Sequence, residues 1–208
     1  MQSGDYVVHI VDDEEPVRKS LAFLLVMAGF AVRAHDSATG FLELATAPGF
    51  GRACLVTDLR MPDMTGVELL EKLRAAGAMM PAVVITGHGD VPMAVAAMKA
   101  GALDFIEKPF QEDVLIEAIR RAAGHICEAP EKADDAADIR ARHSQLTERE
   151  RQVLSAVVAG MPNKTIAFDL DISPRTVEVH RANVMAKMQA RSLPELVRMA
   201  LAADLADA

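Results

Sequence analysis

Five short apolar runs rich in β-branched residues alternate with amphipathic helical segments along residues 1–126, and this alternation limits the fold more than any other feature. Tyr6–Val11, Phe30–His35, Cys54–Thr57, Ala82–Thr86 and Leu103–Ile106 have the composition of strands. Pro16–Ala28, Ser37–Thr46, Gly66–Ala76, Asp90–Ala100 and Gln111–Ile126 have that of helices, with Pro16 in a first turn and Gly29 and Gly101 as stops. Strand and helix in strict alternation imply α/β architecture, a five-stranded doubly wound parallel sheet with right-handed crossovers and helices on both faces. A chain that is 51% hydrophobic can fill such a core, which excludes a disordered tail protein. The longest nearly apolar run, Leu21 to Val32, is too short for a bilayer span, so no membrane association is expected. Acids stand where a signal peptide would need apolar residues, and two cysteines, Cys54 and Cys127, make no disulfide framework. A cytoplasmic protein is expected.

The pattern changes after residue 126. Residues 127–142 have almost no large apolar side chains and read as a linker, with Ala133–Arg142 able to form a helical spacer. Residues 143–208 read as a small all-α domain of four helices. Thr147 with Glu150 forms a capping box before Val153 and Leu154. Asn163 is expected to cap a short helix running to Leu170. Ser173 and Pro174 open a helix reaching about Met188, and Ser192 opens the last, Leu193–Ala203. Two helices joined across Asp171-Ile172-Ser173 suggest a helix-turn-helix. Charge divides along the same lines: residues 1–126 are net −6, the linker −2 and residues 143–208 neutral, but 172–191 hold four bases and one acid.

Parallel sheets bind ligands beyond the C-terminal ends of their strands. Asp12 and Asp13 follow the first strand and Asp58 the third; Thr86 ends the fourth, and Lys108 follows the fifth. Gathered carboxylates repel one another, and a hard cation such as Mg²⁺ relieves that cost. Such a set can hold a phosphoryl group on one carboxylate, with Mg²⁺ and Lys108 neutralising its oxygens. Each residue singly is compatible with an ordinary solvated loop; five at matching strand ends are not expected by chance.

Val-Asp-Asp-Glu at 11–14, Val-Thr-Asp-Leu-Arg-Met-Pro-Asp-Met-Thr-Gly at 56–66, Ile-Thr-Gly-His-Gly-Asp at 85–90 and Asp-Phe-Ile-Glu-Lys-Pro-Phe at 104–110 resemble the receiver domain of two-component response regulators. The resemblance implies a flavodoxin-like receiver over 1–126. Asp58 would be the phosphoacceptor for a sensor histidine kinase, with Thr86 and Lys108 completing the catalytic set. Mg²⁺ would be bound by Asp13, Asp58 and the Arg60 carbonyl, with Asp12 acting through water. Lys108 would stand beside a cis peptide to Pro109. Thr86 and Phe105 would be the switch pair, and Arg60 and His88 would flank the acyl phosphate.

In the last segment, Val177, Val184 and Met188 share one helical stripe and face the module core, while Glu178, Val179 and Ala182 point away. Glutamate can accept from cytosine N4, and small apolar side chains meet a thymine methyl. Lys164, Arg175, Thr176 and Lys187 suit phosphates, and Arg181 joins the candidate DNA contacts. Composition alone would equally allow a solvated helix face. Leu-Thr-Glu-Arg-Glu-Arg-Gln-Val-Leu at 146–154, Asn-Lys-Thr-Ile-Ala at 163–167 and Ile-Ser-Pro-Arg-Thr-Val-Glu-Val-His-Arg at 172–181 resemble the LuxR-type DNA-binding domain over 143–208, with Thr165 where that pattern often has glutamate.

The whole chain therefore resembles a phosphorylation-activated transcription factor, and more narrowly the activators of nitrogen-fixation genes. The resemblance implies homodimerisation on phosphorylation, binding of double-stranded promoter DNA, and RNA polymerase as a partner. No enzyme activity is expected beyond the receiver's own aspartyl phosphorylation and dephosphorylation. Two other readings remain open here. A haloacid-dehalogenase-like phosphatase needs a second aspartate two residues after the nucleophile, and Arg60 occupies that place. A phosphorelay carrier would use its helical tail only for protein contacts.

Overall fold

The computed structural model describes residues 6–87, 89–127 and 136–205. Two compact units divide the chain, residues 1–88 with 100–131, and 89–99 with 132–208.

The first unit is built on a parallel sheet of β1 (Val7–Val11), β2 (Ala31–His35), β3 (Ala53–Asp58), β4 (Ala82–Thr86) and β5 (Asp104–Glu107), in the order β2-β1-β3-β4-β5. Its helices are α1 (Glu15–Met27), α2 (Ala38–Ala45), α3 (Gly66–Ala75) and α5 (Glu112–Cys127). Helix α4 (Val91–Ala100), lying between β4 and β5 in sequence, is counted almost wholly with the second unit. Alternate residues of the strands go to opposite faces. Val8, Ile10, Cys54, Val56, Val83, Ile85 and Ile106 form one face and are covered by Leu21 and Leu25 of α1 and Leu115 and Ile119 of α5. The strand order reverses between β1 and β3, and in such sheets the ligand crevice lies at that reversal.

On the other face His9 is 3% exposed among aromatic rings. Its ring stacks on His35 at 5.1 Å and meets Phe41 and Phe50 at 5.3 and 5.1 Å. His9 Nδ1 and His35 Nε2 share a hydrogen bond of 2.9 Å. Burial above all, with the charges of His35 and Arg33, lowers the His9 pKa to about 4.

The second unit contains α6 (Ala136–Ser144), α7 (Glu148–Val158), α8 (Asn163–Asp169), α9 (Pro174–Met188) and α10 (Leu193–Ala202). Thr147 and Glu150 make the expected reciprocal capping box on α7. Ser173 and Ser192 cap α9 and α10, accepting from Thr176 and Glu195 N–H. Asp171 takes a positive φ of 52° in the turn between α8 and α9, a conformation aspartate tolerates better than most residues.

Two expectations are corrected. Asn163 does not cap α8: Pro162 holds that position, and Asn163 is the first helical residue, its Oδ1 accepting from Arg181 Nη1 at 2.8 Å. The C-terminal end of the stretch read as a linker has a core after all. Ile139 of α6 is 1% exposed and packs with Leu146, Leu154, Val184, Met188 and Leu196. Arg142 of α6 donates through Nη1 to the Met188 carbonyl, filling an open acceptor at the end of α9. One apolar residue in a polar stretch carries no periodicity, which is why sequence alone does not show this helix docking. Residues 128–135 of that stretch lie outside the described residues.

Truncation of Ile139 to alanine is expected to cost about 2–5 kcal/mol in denaturant unfolding of the helical unit; a spacer residue would cost almost nothing. The His9 pair predicts a pH effect. Its folded pKa lies below the ordinary 6.5, so its stability contribution is complete above that value and is lost as pH falls toward about 4. A His9→Phe variant should show a flatter stability profile over this range in thermal unfolding.

Candidate functional site: an acidic pocket at the crest of the sheet

Strand register brings the chemistry together. Val11 pairs with Thr57, Asp58 with Ile85, and Thr86 with Glu107, so the chain segments carrying Asp12, Asp58, Thr86 and Lys108 leave the sheet side by side. Main-chain bonds continue the ladder past the strand ends. Asp12 N–H donates to His35 O, Leu59 N–H to Ile85 O at 2.9 Å, and Lys108 N–H to Thr86 O at 2.7 Å.

The Lys108 ammonium binds Asp58 Oδ1 at 2.8 Å and Asp12 Oδ2 at 3.1 Å. Asp58 Oδ2 accepts the Arg60 N–H at 2.7 Å. Asp12 is 2% exposed; its Oδ1 accepts the Glu14 N–H at 2.9 Å and its carbonyl accepts from Arg18 Nη1 at 2.7 Å. Burial raises the Asp12 pKa, outweighing the attraction of Lys108. Burial works on Lys108 in the opposite sense, but the bond and charge of Asp58, then those of Asp12, win and raise its pKa. The amine is therefore firmly cationic. The peptide from Lys108 to Pro109 is cis.

Gly66 allows the pocket to close. A Cβ there would stand 2.5 Å from the Asp58 carbonyl oxygen, so only glycine lets α3 begin this near Asp58. The glycine was legible in the sequence as part of the segment after Asp58, but its steric reason was not.

The remaining residues are placed as follows. Asp13 is exposed next to Asp12. Thr86 is 1% exposed, and Phe105, paired with Val84, is half-buried. His88 lies outside the described residues. Among the described residues no three His, Cys, Asp or Glu side chains stand close enough to hold a metal by themselves. The oxygens available to a hard cation are those of Asp12 and Asp58, with Asp13 and the Arg60 carbonyl adjacent in the chain. This all-oxygen set suits Mg²⁺, which keeps several waters and takes only one or two carboxylates. Two acids against one ammonium leave net negative charge, so the fit is electrostatic as well.

In the helical unit Val177, Val184 and Met188 are buried, and Glu178, Val179 and Ala182 are exposed, with Val179 at 54%. Lys164 and Arg175 are exposed too. Three other candidate contacts are engaged within the unit. Lys187 Nζ binds Glu150 Oε2 at 2.6 Å, which with the Thr147 N–H holds that covered carboxyl below the usual range. Arg181 is half-buried on Asn163, and Thr176 shares a hydrogen bond with Ser173 at 2.8 Å.

The family of the response regulator receiver domain matches residues 8–120, and that of the bacterial regulatory proteins of the luxR family matches 144–200. The transcriptional regulatory protein FixJ of Rhizobium meliloti (strain 1021) is 71% identical over 95% of this chain and 96% of its own. The crystal structure of FixJ-N is 64% identical, covers 62% of this chain and 100% of that one, and superposes with a TM-score of 0.57. Full-length FixJ from B. japonicum is 47% identical over 99% of both chains, with a TM-score of 0.52.

The buried Asp12 charge predicts a stability gain on its removal. Its folded pKa lies above the unfolded value near 3.9, so ionisation opposes folding as pH rises through that range. Asp12→Asn is expected to raise Tm by a few degrees at pH 7 in EDTA, with a smaller gain near pH 4. A lower Tm would mean that the ion pair with Lys108 outweighs burial.

Proposed function

The chain belongs to the FixJ-type response regulators, a receiver domain followed by a LuxR-type DNA-binding domain, and on that footing we propose that Asp58 accepts a phosphoryl group from a sensor histidine kinase. The protein is a phosphorylation-activated transcriptional regulator, and we assign it the activation of nitrogen-fixation genes. The observation that carries the assignment of Asp58 is the Lys108 bridge, which joins the acceptor carboxylate to a second acid and leaves net negative charge.

A carboxylate oxygen of Asp58 attacks the phosphorus of a phosphohistidine. The P–N bond breaks, a P–O bond forms, and the electron pair returns to the imidazole nitrogen, which takes up a proton. The Arg60 N–H and the Lys108 ammonium orient the acceptor beforehand, and Lys108 then neutralises a phosphoryl oxygen. Asp13, Asp58 and the Arg60 carbonyl, with Asp12 through water, would hold a Mg²⁺ ion, which when bound would supply Lewis-acid neutralisation of the phosphoryl charge. Attack of water on the phosphorus of the acyl phosphate breaks the P–O bond to Asp58, releases inorganic phosphate and a proton, and restores the carboxylate, so the receiver turns itself off. This is the chain's own chemistry; it does not act as an enzyme on other molecules.

The switch acts through Thr86 and Phe105. A phosphoryl group adds charge and acceptor oxygens. The Thr86 hydroxyl moves to meet them, and Phe105, half-buried at rest, turns into the space released. Phenylalanine has no hydroxyl to report its position, so packing alone transmits the change. The affected segment, Val91–Ile106, includes α4. Its rearrangement frees the DNA-binding domain and creates a homodimer surface. This is a population shift, so a minor active fraction exists without phosphate.

Residues 1–126 are assigned to the receiver and 143–208, with α6 packed into its core through Ile139, to the DNA-binding domain. Helix α9 enters the major groove, with Glu178, Val179 and Ala182 at the bases. Lys164, Arg175 and Thr176 meet phosphates, while Arg181 and Lys187 reach the duplex only by giving up part of their present bonds. RNA polymerase is the downstream partner. No helix among the described residues is long and apolar enough to cross a membrane, and we place the protein in the cytoplasm.

Sedimentation with and without beryllofluoride, followed by promoter gel shifts over a salt series, tests these points. The parent should dimerise and bind DNA with an affinity that falls steeply with salt. Asp58→Asn should do neither in response to beryllofluoride or acetyl phosphate. A variant that still responds would remove Asp58 from its role, and salt-independent, DNA-free behaviour would favour a phosphorelay carrier.

A further inference from the structure

The loop between β3 and α3 carries the Arg60 N–H that holds Asp58 Oδ2. It is closed at its base, where Leu59 N–H donates to Ile85 O and Gly66 N–H donates to Leu59 O, each at 2.9 Å. Thr65 and Glu68 then form a capping box that starts α3. Between these fixed points the loop is tied to a different part of the fold. Asp63 Oδ2 accepts the Thr39 N–H at 2.8 Å and the Ser37 hydroxyl at 2.9 Å. Both donors belong to the start of α2, where Ser37 is itself the N-cap and accepts from Gly40 N–H at 3.1 Å.

Two elements far apart in sequence thus share one carboxylate. The helix gains a partner for an N–H that its own backbone cannot satisfy, and the anion sits at the positive end of the helix. Slight burial acts upward on the Asp63 pKa, but the Thr39 N–H and Ser37 hydroxyl dominate and hold it at about 2. The tie is therefore ionic at every physiological pH. No local motif requires it, because α2 already has its serine cap and the loop already has its two closures. What the tie adds is a third anchor, three residues from Arg60.

We propose that Asp63 is a positioning residue for phosphoryl transfer: by anchoring the β3–α3 loop to the start of α2, it holds the Arg60 main chain against Asp58. This rests on the assignment of Asp58 as acceptor. Asp63 touches neither phosphorus nor the acceptor, so its effect passes through the loop. Partners of this kind that orient a ligand set change metal affinity or activity by about 10–100-fold.

Three full-length variants test it. Asp63→Ala removes the acceptor; Asp63→Asn keeps an oxygen where Oδ2 stands; Ser37→Ala removes the α2 cap and one of the two bonds to Asp63, leaving Thr39 N–H on it. Mg²⁺ affinity is read by titration calorimetry, loop order by hydrogen exchange of residues 59–65, and acceptor function by the rate of Asp58 phosphorylation from acetyl phosphate across Mg²⁺ concentrations. Asp63→Ala is expected to weaken Mg²⁺ binding about tenfold, to speed exchange in 59–65, and to shift the half-saturating Mg²⁺ concentration by the same factor with little change in maximal rate. Asp63→Asn should recover most of the loss. Ser37→Ala should lower Tm and move the Mg²⁺ dependence in the same direction as Asp63→Ala, but by less, because Thr39 N–H still holds Asp63. Unchanged exchange and affinity in Asp63→Ala would overturn the proposal, as would a larger Mg²⁺ shift in Ser37→Ala than in Asp63→Ala. A parent protein that takes no phosphoryl group on Asp58 would defeat the functional assignment instead, and the exchange data would still decide whether Asp63 orders the loop.

Discussion

One ammonium group, that of Lys108, holds two carboxylates at the C-terminal edge of the sheet, and much of the first unit is arranged so that it can. Asp12 is almost fully buried, and its charge is tolerated there only with a cation beside it. The same lysine is fixed by its own N–H on the Thr86 carbonyl. Asp58, its counter-charge and the threonine at the end of β4 are thus joined by short bonds through one residue. Charge added to Asp58 alters the force on Lys108, and Lys108 is bonded to the very strand end that carries Thr86. Coupling from chemistry to conformation needs no longer path than this.

The edge itself is stiff for a simple reason. At β1, β3 and β5 the main-chain ladder runs one residue beyond the strand, through Asp12, Leu59 and Lys108. Loops that start from such fixed points can vary only in the middle. In the β3–α3 loop that middle is where Asp63 reaches α2, and at the start of α3 the absence of a Cβ on Gly66 keeps the chain against the Asp58 carbonyl. In the proposed role of Asp58, rigid positioning of its carboxylate would supply part of the catalysis, because attack requires a fixed line of approach.

What the sequence made legible follows from how local each signal is. Strands and their order of alternation were readable because burial on both faces demands unbroken apolar runs such as Ala82–Thr86. Caps at Thr147, Ser173 and Ser192 were readable because a side chain and an N–H three residues away decide them. The acids and Lys108 were readable through their places at strand ends. Contacts between distant segments were not. Ile139 is a lone large apolar residue whose cluster reaches as far along the chain as Leu205, and nothing near it announces a core. The His9–His35 pair and the Asp63 tie join separate elements at separations of 26 and 24 residues. Asn163 was misread because its amide has an alternative partner in Arg181, supplied by another helix.

That same competition for partners shapes the face of α9 proposed to meet DNA. Counting bases along 172–191 suggests a strongly positive helix, yet Lys187 is held by Glu150 and Arg181 by Asn163. These bonds stiffen the joints between α9 and its neighbours, and they withdraw two charges from the surface. What α9 and the start of α8 offer freely is Lys164 and Arg175 around a small patch of Glu178, Val179 and Ala182. Nonspecific affinity comes from counterions that bases release as they neutralise phosphates, so a face with few free bases binds weakly to DNA at large. A single copy then discriminates poorly between site and background. Two copies on linked half-sites multiply their affinities through effective concentration. If dimerisation is controlled at Asp58 as proposed, a sparse face on each module is the arrangement in which it has the greatest leverage over DNA binding.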